Sequence, residues 1–296
     1  MSEFLQQLLN GLSLGAIYAL IALGYTMVYG VLRFINFAHS DVFMVGAFIG
    51  YYLGKLVPEH TVWGGLGVLA AAMFGCALLG MTIERLAYRP LRSAPTLNVL
   101  ITAIGVSLLL EYTGQVFFGA APRNFPEIFP KQNFNLGSVI VTSNQLIVIA
   151  VSIVLMIALQ LIVYRTKIGT AMRAVSLNPK AAILMGVNND VVISFTFGLG
   201  SALAAAGGIL YALNYPSIDP LMGVMPGLKA FVAAILGGIG NIPGAALGGL
   251  ILGTVETFVS GSQFSTYKDA IAFAILIIIL LFRPAGLLGK FTVEKV

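Results

Sequence analysis

The densest group of residues able to do chemistry in an apolar setting is Arg33-Phe34-Ile35-Asn36-Phe37-Ala38-His39-Ser40-Asp41, set between two apolar runs. An aspartate at the centre of a membrane helix costs about 2.5–3.5 kcal/mol on insertion scales, so such a group needs a reason. Two readings stand. In one, Asn36, His39, Ser40 and Asp41 line a pathway or cap a half-helix facing it. In the other they form a cytoplasmic turn, with Ser40 or Asp41 as the N-cap of a helix over 42–54. The second is favoured by the charge distribution, which puts Arg33 at the inner surface. Glu111 and Glu256 lie towards the ends of their runs and read as interfacial carboxylates before pathway groups. Asp219, in Asn214-Tyr215-Pro216-Ser217-Ile218-Asp219-Pro220, reads as a solvated turn.

No catalytic constellation is expected. There is no H-E-x-x-H and no paired histidine ligand, the histidines being His39 and His60. The single cysteine, Cys76, excludes an intrachain disulfide and a cysteine-based metal site, so neither metal nor cofactor is implied. A G-x-x-x-x-G-K-[ST] phosphate loop is also missing, so if transport here is ATP-driven another subunit must supply the ATPase.

The elements that must position these residues follow from composition. Of 296 residues, 58% are hydrophobic and 9% charged, against about 25% charged in soluble proteins. That surplus exceeds what one core hides and must face lipid, which excludes a water-soluble globular fold. The net charge of +5 does not point to nucleic acid, because the basic residues fall in short breaks between apolar runs. Runs long enough to span occur near 6–31, 34–54, 62–83, 96–118, 143–164, 191–213, 227–257 and 268–288. The expected fold is all-α: a polytopic bundle of about eight transmembrane segments, one transmembrane domain over 1–296. Residues 1–10 lack the basic start and cleavage site of a secretory leader, so the first run is expected to stay.

Three basic breaks should be cytoplasmic: Arg85, Arg89 and Arg92; Arg165, Lys167, Arg173 and Lys180; Arg283, Lys290 and Lys295. The stretch 119–142, with only Arg123 and Lys131, should lie outside, as should the N-terminus. Three apolar runs then separate two cytoplasmic breaks, so one is not a simple span. The exception is expected at 227–257, broken at Gly237-Gly238-Ile239-Gly240-Asn241-Ile242-Pro243-Gly244 into two half-helices. Irregular backbone at membrane depth survives only against protein or a watery cavity, so 237–244 is expected inside the protein, near a pathway or a subunit contact. Glycines four apart (Gly11/Gly15, Gly46/Gly50/Gly54, Gly249/Gly253) predict close helix packing and allow a dimer contact.

The break at 165–190, RTKIGTAMRAVSLNPKAAILMGVNND, is far longer than the usual connection of about 4–6 residues. It predicts short helices over 170–177 and 180–186, separated at Asn178-Pro179. The second has a basic face, an apolar face and Gly186 for a C-cap, and wants a partner groove.

That segment resembles the coupling loop of ABC-type importer permeases, E-A-A, three residues, then G, with Lys180 where the family has glutamate, followed by Ala181, Ala182 and Gly186. Three further stretches, Gly15–Gly24 with Ile35-Asn36-Phe37-Ala38-His39, then Gly237–Ala245, then Arg283-Pro284-Ala285-Gly286-Leu287, make the chain similar to the branched-chain amino-acid permeases of high-affinity leucine, isoleucine and valine uptake systems. The likeness covers almost the whole chain. It implies an ABC importer permease fold in a bacterial inner membrane, a second homologous permease subunit, two cytoplasmic ATPase subunits and an extracytoplasmic substrate-binding protein. It also implies that Arg173, Asn178, Pro179, Lys180, Ala181, Ala182 and Gly186 couple to the ATPase. Asn36, His39, Asp41, Gly238, Gly240, Asn241 and Pro243 are the residues expected along the translocation pathway, half-helix ends near 237–244 favouring a zwitterion through their dipoles. Competing readings are an ion-coupled secondary transporter, which would keep ionisable groups mid-span where Asp41, Glu111 and Glu256 read as near ends, and an ABC permease for urea or short amides.

Overall fold

The computed structural model describes residues 2–57, 61–92, 94–137 and 139–289; His60, Lys290 and Lys295 lie outside them. The described helices run in chain order as α1 (Ser2–Leu32), α2 (His39–Gly54), α3 (Val62–Ile83), α4 (Thr96–Phe118), α5 (Ser143–Arg165), α6 (Lys167–Leu177), α7 (Pro179–Leu184), α8 (Asn189–Asn214), α9 (Val224–Gly237), α10 (Ile242–Ser260) and α11 (Lys268–Phe282). A π-turn, Glu84–Tyr88, and a 3-10 turn, Arg89–Leu91, extend α3. Hydroxyl and amide side chains start many of these helices and satisfy backbone donors that lipid would leave unpaired. Thr61 accepts from Gly64 N at 3.1 Å, Thr142 and Gln145 form a capping box on α5, and Asn188 caps α8.

The ends of α1, α3, α5, α9 and α11 meet the starts of α4, α8 and α10 at one end of the bundle, together with α6 and α7. This is the arginine-rich end, which the charge bias assigns to the cytoplasm. At the opposite, outer end, β1 (Arg123–Asn124) pairs with β4 (Ser217–Ile218) and β2 (Asn133–Leu136) with β3 (Val139–Thr142), both antiparallel. The segment after β1 seals that end: Phe129 fills the space over Gly65, and Ile128 with Pro126 the space over Gly54.

Helix α1 is 94% buried over its apolar window and α8 78%, whereas α4 is 17% and α11 6% buried, so the first two are the core and the others turn apolar faces outward. The glycine pairs serve that core and not a dimer. Gly11 and Gly15 meet Gly253, Thr254 and Leu250 where α1 crosses α10, and a Cβ on Gly15 would stand 2.8 Å from Leu250 Cα. Gly46 and Gly50 lie against Ala205 and Ile209 of α8.

One apolar run departs from the sequence expectation and another follows it. The run 34–54 contains only α2, 16 residues or about 24 Å long, which starts inside the bundle beside Gly24 of α1. The run 227–257 is a helical hairpin, α9 descending and α10 returning, which resolves the three-crossing conflict and leaves 283–289 at the cytoplasmic end. Its turn is less enclosed than expected: Gly237, Gly238 and Gly244 are buried, but Gly240 is exposed and Asn241 half-buried, at a groove shared with Arg173.

Candidate functional site: two polar cavities and a cytoplasmic hook

Arg33 has φ 57°, and the non-helical backbone after it carries the chain from the cytoplasmic end back into the bundle. Gly24, beside which α2 starts, lies eight residues before the end of α1, about 12 Å at helical rise. Asn36 Oδ1 accepts from the Tyr88 hydroxyl at 2.6 Å, Ser40 Oγ donates to Phe37 O at 2.9 Å, and Asp41 accepts from Ser107 of α4. His39 fills the notch at Gly24 with Tyr25 edge-on at 4.7 Å. His39 and Asp41 are each 1% exposed. The reading as a cytoplasmic turn is therefore corrected: α2 begins at His39 after Ala38 with no side-chain cap, and Asn36, Ser40 and Asp41 find their partners inside the protein, where such backbone is tolerated, while His39 Nε2 is buried without one. Asp41 is not near a membrane end.

The outer cavity, about 770 Å³, opens between the starts of α1, α5, α9 and α11 and the ends of α8 and α10. At its floor Lys229 of α9 lies 2.6 Å from Glu256 of α10 and 2.6 Å from Asp269 of α11, and the Tyr18 hydroxyl donates to the other Glu256 oxygen at 2.9 Å. Lys229 is 4% and Glu256 6% exposed. Glu256 is thus an enclosed, paired carboxylate and not an interfacial one; the hairpin folds it back onto a lysine 27 positions away. Lys229 was missed by sequence reasoning, though a lone cation in the apolar run 227–257 was the available signal. At the mouth, burial and the neighbouring Glu256 raise the Tyr215 phenol above its ordinary value, leaving it a neutral donor. Asp219 Oδ1 accepts from Leu221 N at 2.8 Å, a turn as expected.

At the cytoplasmic end, α6 and α7 form a hook. Met172 and Val175 anchor α6, and Ser176 Oγ donates to Gly30 O of α1. Asn178 ends α6 and caps α7, accepting from Ala181 N at 3.0 Å, with Pro179 at the first helical position. Gly186, φ 83°, closes α7 in a Schellman motif: Gly186 N bonds Ile183 O at 2.9 Å and Val187 N bonds Ala182 O at 3.0 Å. The helices are 167–177 and 179–184, so α6 starts three residues earlier than expected because Thr166 caps it. Ala182 is buried, Lys180 and Ala181 are exposed, and Leu177, Ile183, Leu184 (87%) and Met185 project outward. Arg173 stands over the Tyr164 ring at 5.4 Å.

Between the hook and α1 lies an inner cavity of about 640 Å³ lined by Arg33, Tyr88, Arg92, Asn178 and Asp190, among others. Beside it Glu84, fully buried, accepts from Arg92 and Ser194, and Asp190 at the start of α8 accepts from Arg89 and Arg92. Sequence reasoning missed this network too; its members are joined across 8 to 110 positions.

The hairpin turn is a built structure. Gly238 and Gly240 have φ of 105° and 89°, and Pro243 sits in the first turn of α10. Asn241 Oδ1 accepts from Gly244 N at 3.1 Å while its Nδ2 donates to Leu288 O at 2.7 Å. The Arg283–Leu287 stretch tucks beneath, Leu287 N bonding Leu236 O at 2.9 Å. Both ends of the Asn241 amide are therefore engaged within the chain. Gly11-Leu12-Ser13-Leu14-Gly15 spells the G-x-S-x-G of a hydrolase elbow, yet it lies inside continuous α1, where Ser13 accepts from Asn214 at 2.9 Å; the strand-turn-helix that exposes such a serine is not there.

This bundle, with a hairpin at its core and a capped hook at its basic end, matches the family described as branched-chain amino acid transport system, permease component, over residues 7–280. The chain belongs to that family. It is 42% identical to the high-affinity branched-chain amino acid transport system permease protein BraD of Pseudomonas aeruginosa, across 99% of this chain and 98% of that protein. It is also 42% identical, at the same coverage, to LivH of Escherichia coli K12, and 31% identical to a probable LivH of Methanocaldococcus jannaschii over 91% of this chain and 88% of the relative. A solved structure, PsaBC from Streptococcus pneumoniae in complex with Fab, aligns with 95% of this chain and 92% of that one at 12% identity and a TM-score of 0.49, a distance at which it carries no argument. As a member of this permease family the chain is a multi-pass inner-membrane component of an ABC transporter, not an enzyme in its own right.

Proposed function

We propose that this permease carries branched-chain, hydrophobic amino acids across the membrane, with a second homologous permease beside it, two cytoplasmic ATPase subunits beneath and a substrate-binding protein at the outer end. The substrate class is supported by the printed function of relatives that match end to end. The ATP-driven part is carried by one observation: the hook 167–186 holds Leu177, Ile183, Leu184 and Met185 exposed around Lys180 at the basic end of the bundle. An apolar cluster so placed, on a rigidly capped helix, fits a groove in another protein. Residues 165–190 are the coupling loop of a single permease domain, in which Arg173, Asn178, Pro179, Lys180, Ala181, Ala182 and Gly186 meet or shape the surface offered to the ATPase. Lys180, in place of the family's glutamate, puts a cation where that contact forms.

Nucleotide-driven closure of the ATPase pair would move the hook as a lever. Asn178 and Pro179 line the inner cavity and Ser176 is bonded to α1, so a shift of the hook changes the cytoplasmic mouth, and ATP biases the populations of outward- and inward-open states. Asn36, His39 and Asp41 serve as buried polar wall groups of the pathway; Gly238, Gly240, Asn241 and Pro243 form the hairpin turn beside the hook. The test is purification from native membranes: a sister permease and two ATPases should travel with the chain, and the chain reconstituted alone should accumulate no solute. Accumulation by the lone subunit, driven by an ion gradient, would overturn the reading.

A further inference from the structure

The geometry points to the floor of the outer cavity as a binding site for the charged backbone of an amino acid, with the Lys229–Glu256–Asp269 cluster taking the α-ammonium group and the lysines at the mouth drawing the carboxylate. This rests on the functional reading above and names residues for it. The cluster sets one cation against two carboxylates, all within ion-pair distance, so its net charge is −1 and its unmet demand is for a cation. Asp269 lines the cavity with 42% of its side chain accessible, whereas Lys229 and Glu256 are enclosed, so Asp269 is the carboxylate a ligand meets first. Lys268 stands exposed on the cavity wall and supplies the opposite sign, with Lys131, itself 3.4 Å from Glu127, beside the same cavity. Leu14, Leu213, Met225 and Tyr211 add apolar wall.

A bare metal cation would leave the outer lysines and the apolar wall without a role, and a simple anion would be repelled at the floor. A molecule with an ammonium, a carboxylate and an apolar branch uses all three. A cavity of about 770 Å³ leaves ample room for it. The cluster joins α9, α10 and α11 at the outer end of the hairpin whose turn lies near the hook, so occupancy at the floor and the position of the hook are mechanically connected through one element.

The competing explanation is that the cluster only staples the hairpin. An apolar replacement of every member of a buried pair keeps such a staple and abolishes a charge site. The test is the full transporter in proteoliposomes with loaded binding protein, carrying Tyr18→Phe, Lys229→Met and Glu256→Leu together, and separately Asp269→Asn, which neutralises the cluster and leaves the buried pair intact. The triple variant should keep its sister permease and ATPases and lose at least tenfold in leucine uptake; Asp269→Asn should keep the same partners and lose at least threefold. Parental uptake by the assembled triple variant sinks the site. If the triple variant does not assemble, parental uptake by Asp269→Asn sinks it instead. No uptake of any branched-chain amino acid by the unaltered complex sinks the substrate assignment, and this site with it.

Discussion

Lys229 and Glu256 lie 27 positions apart and meet at 2.6 Å, closing the outer end of the α9–α10 hairpin. Their pairing depends on the turn at 238–241: without it the two charges would stand on one rod at opposite ends.

Removing one member of this pair should hurt unequally. Lys229→Ala leaves Glu256 buried with only the Tyr18 hydroxyl for a partner, a loss expected at about 3–5 kcal/mol. Glu256→Ala leaves Lys229 still paired to Asp269 and should cost less. Thermal unfolding of the purified complex checks the order: the melting temperature should fall further for Lys229→Ala than for Glu256→Ala, and the reverse order would contradict the pairing described.

The spans were legible because about twenty apolar residues in a row have few alternatives to a membrane helix, and the hairpin because arginine placement made three crossings impossible. The hook was legible from Asn178-Pro179 and Gly186, whose local chemistry dictates a cap, a start and a stop. What escaped was non-local. A run such as Asn36–Asp41 has the same composition whether it sits at a membrane surface or inside a bundle; the partners that bury it, Tyr88 and Ser107, lie 52 and 66 positions away. Lys229 and Glu84 escaped for the same reason, since each is made tolerable in place by a partner no periodicity connects to it.

Glycine substitutions should separate packing from tolerance. Gly15→Leu or Gly253→Leu drives a side chain into backbone where α1 crosses α10, and neither backbone can retreat without opening the core. Little or no monodisperse protein should be recovered. Gly67→Leu, on α3 with nothing within 4 Å of its added Cβ, should express and transport as the parent does. Size-exclusion profiles of the three variants read this directly.

The cytoplasmic network predicts a graded response. Glu84 is fully buried and satisfies both Arg92 and Ser194; Asp190 is 42% exposed. Glu84→Ala leaves a half-enclosed guanidinium short of a partner and should destabilise by about 2–4 kcal/mol. Asp190→Ala should cost about 1 kcal/mol or less, and its cost should shrink further in high salt, because exposed pairs are screened. Chemical unfolding at low and high ionic strength distinguishes the two.

The hook's architecture predicts which lesions uncouple without unfolding. Asn178→Ala removes the cap of α7 and leaves Ala181 N unpaired, a local cost of about 1 kcal/mol. Gly186→Ala forces an L side chain to φ 83°, about 1–2 kcal/mol against the same short helix. With six residues, α7 has too few internal bonds to absorb either loss, yet it meets the core only at the start of α8, where Asn189 Nδ2 donates to Pro179 O at 3.0 Å, and the crossing of α1 with α10 is untouched. Both variants should therefore fold, show near-parental melting temperatures for the permease, and retain less ATPase on purification, with uptake falling at least fivefold. Leu184→Asp tests the exposed apolar face itself: it leaves the α7 caps intact and should lower ATPase retention as much as the cap variants do. Full retention with Leu184→Asp would place the ATPase contact elsewhere on the cytoplasmic end.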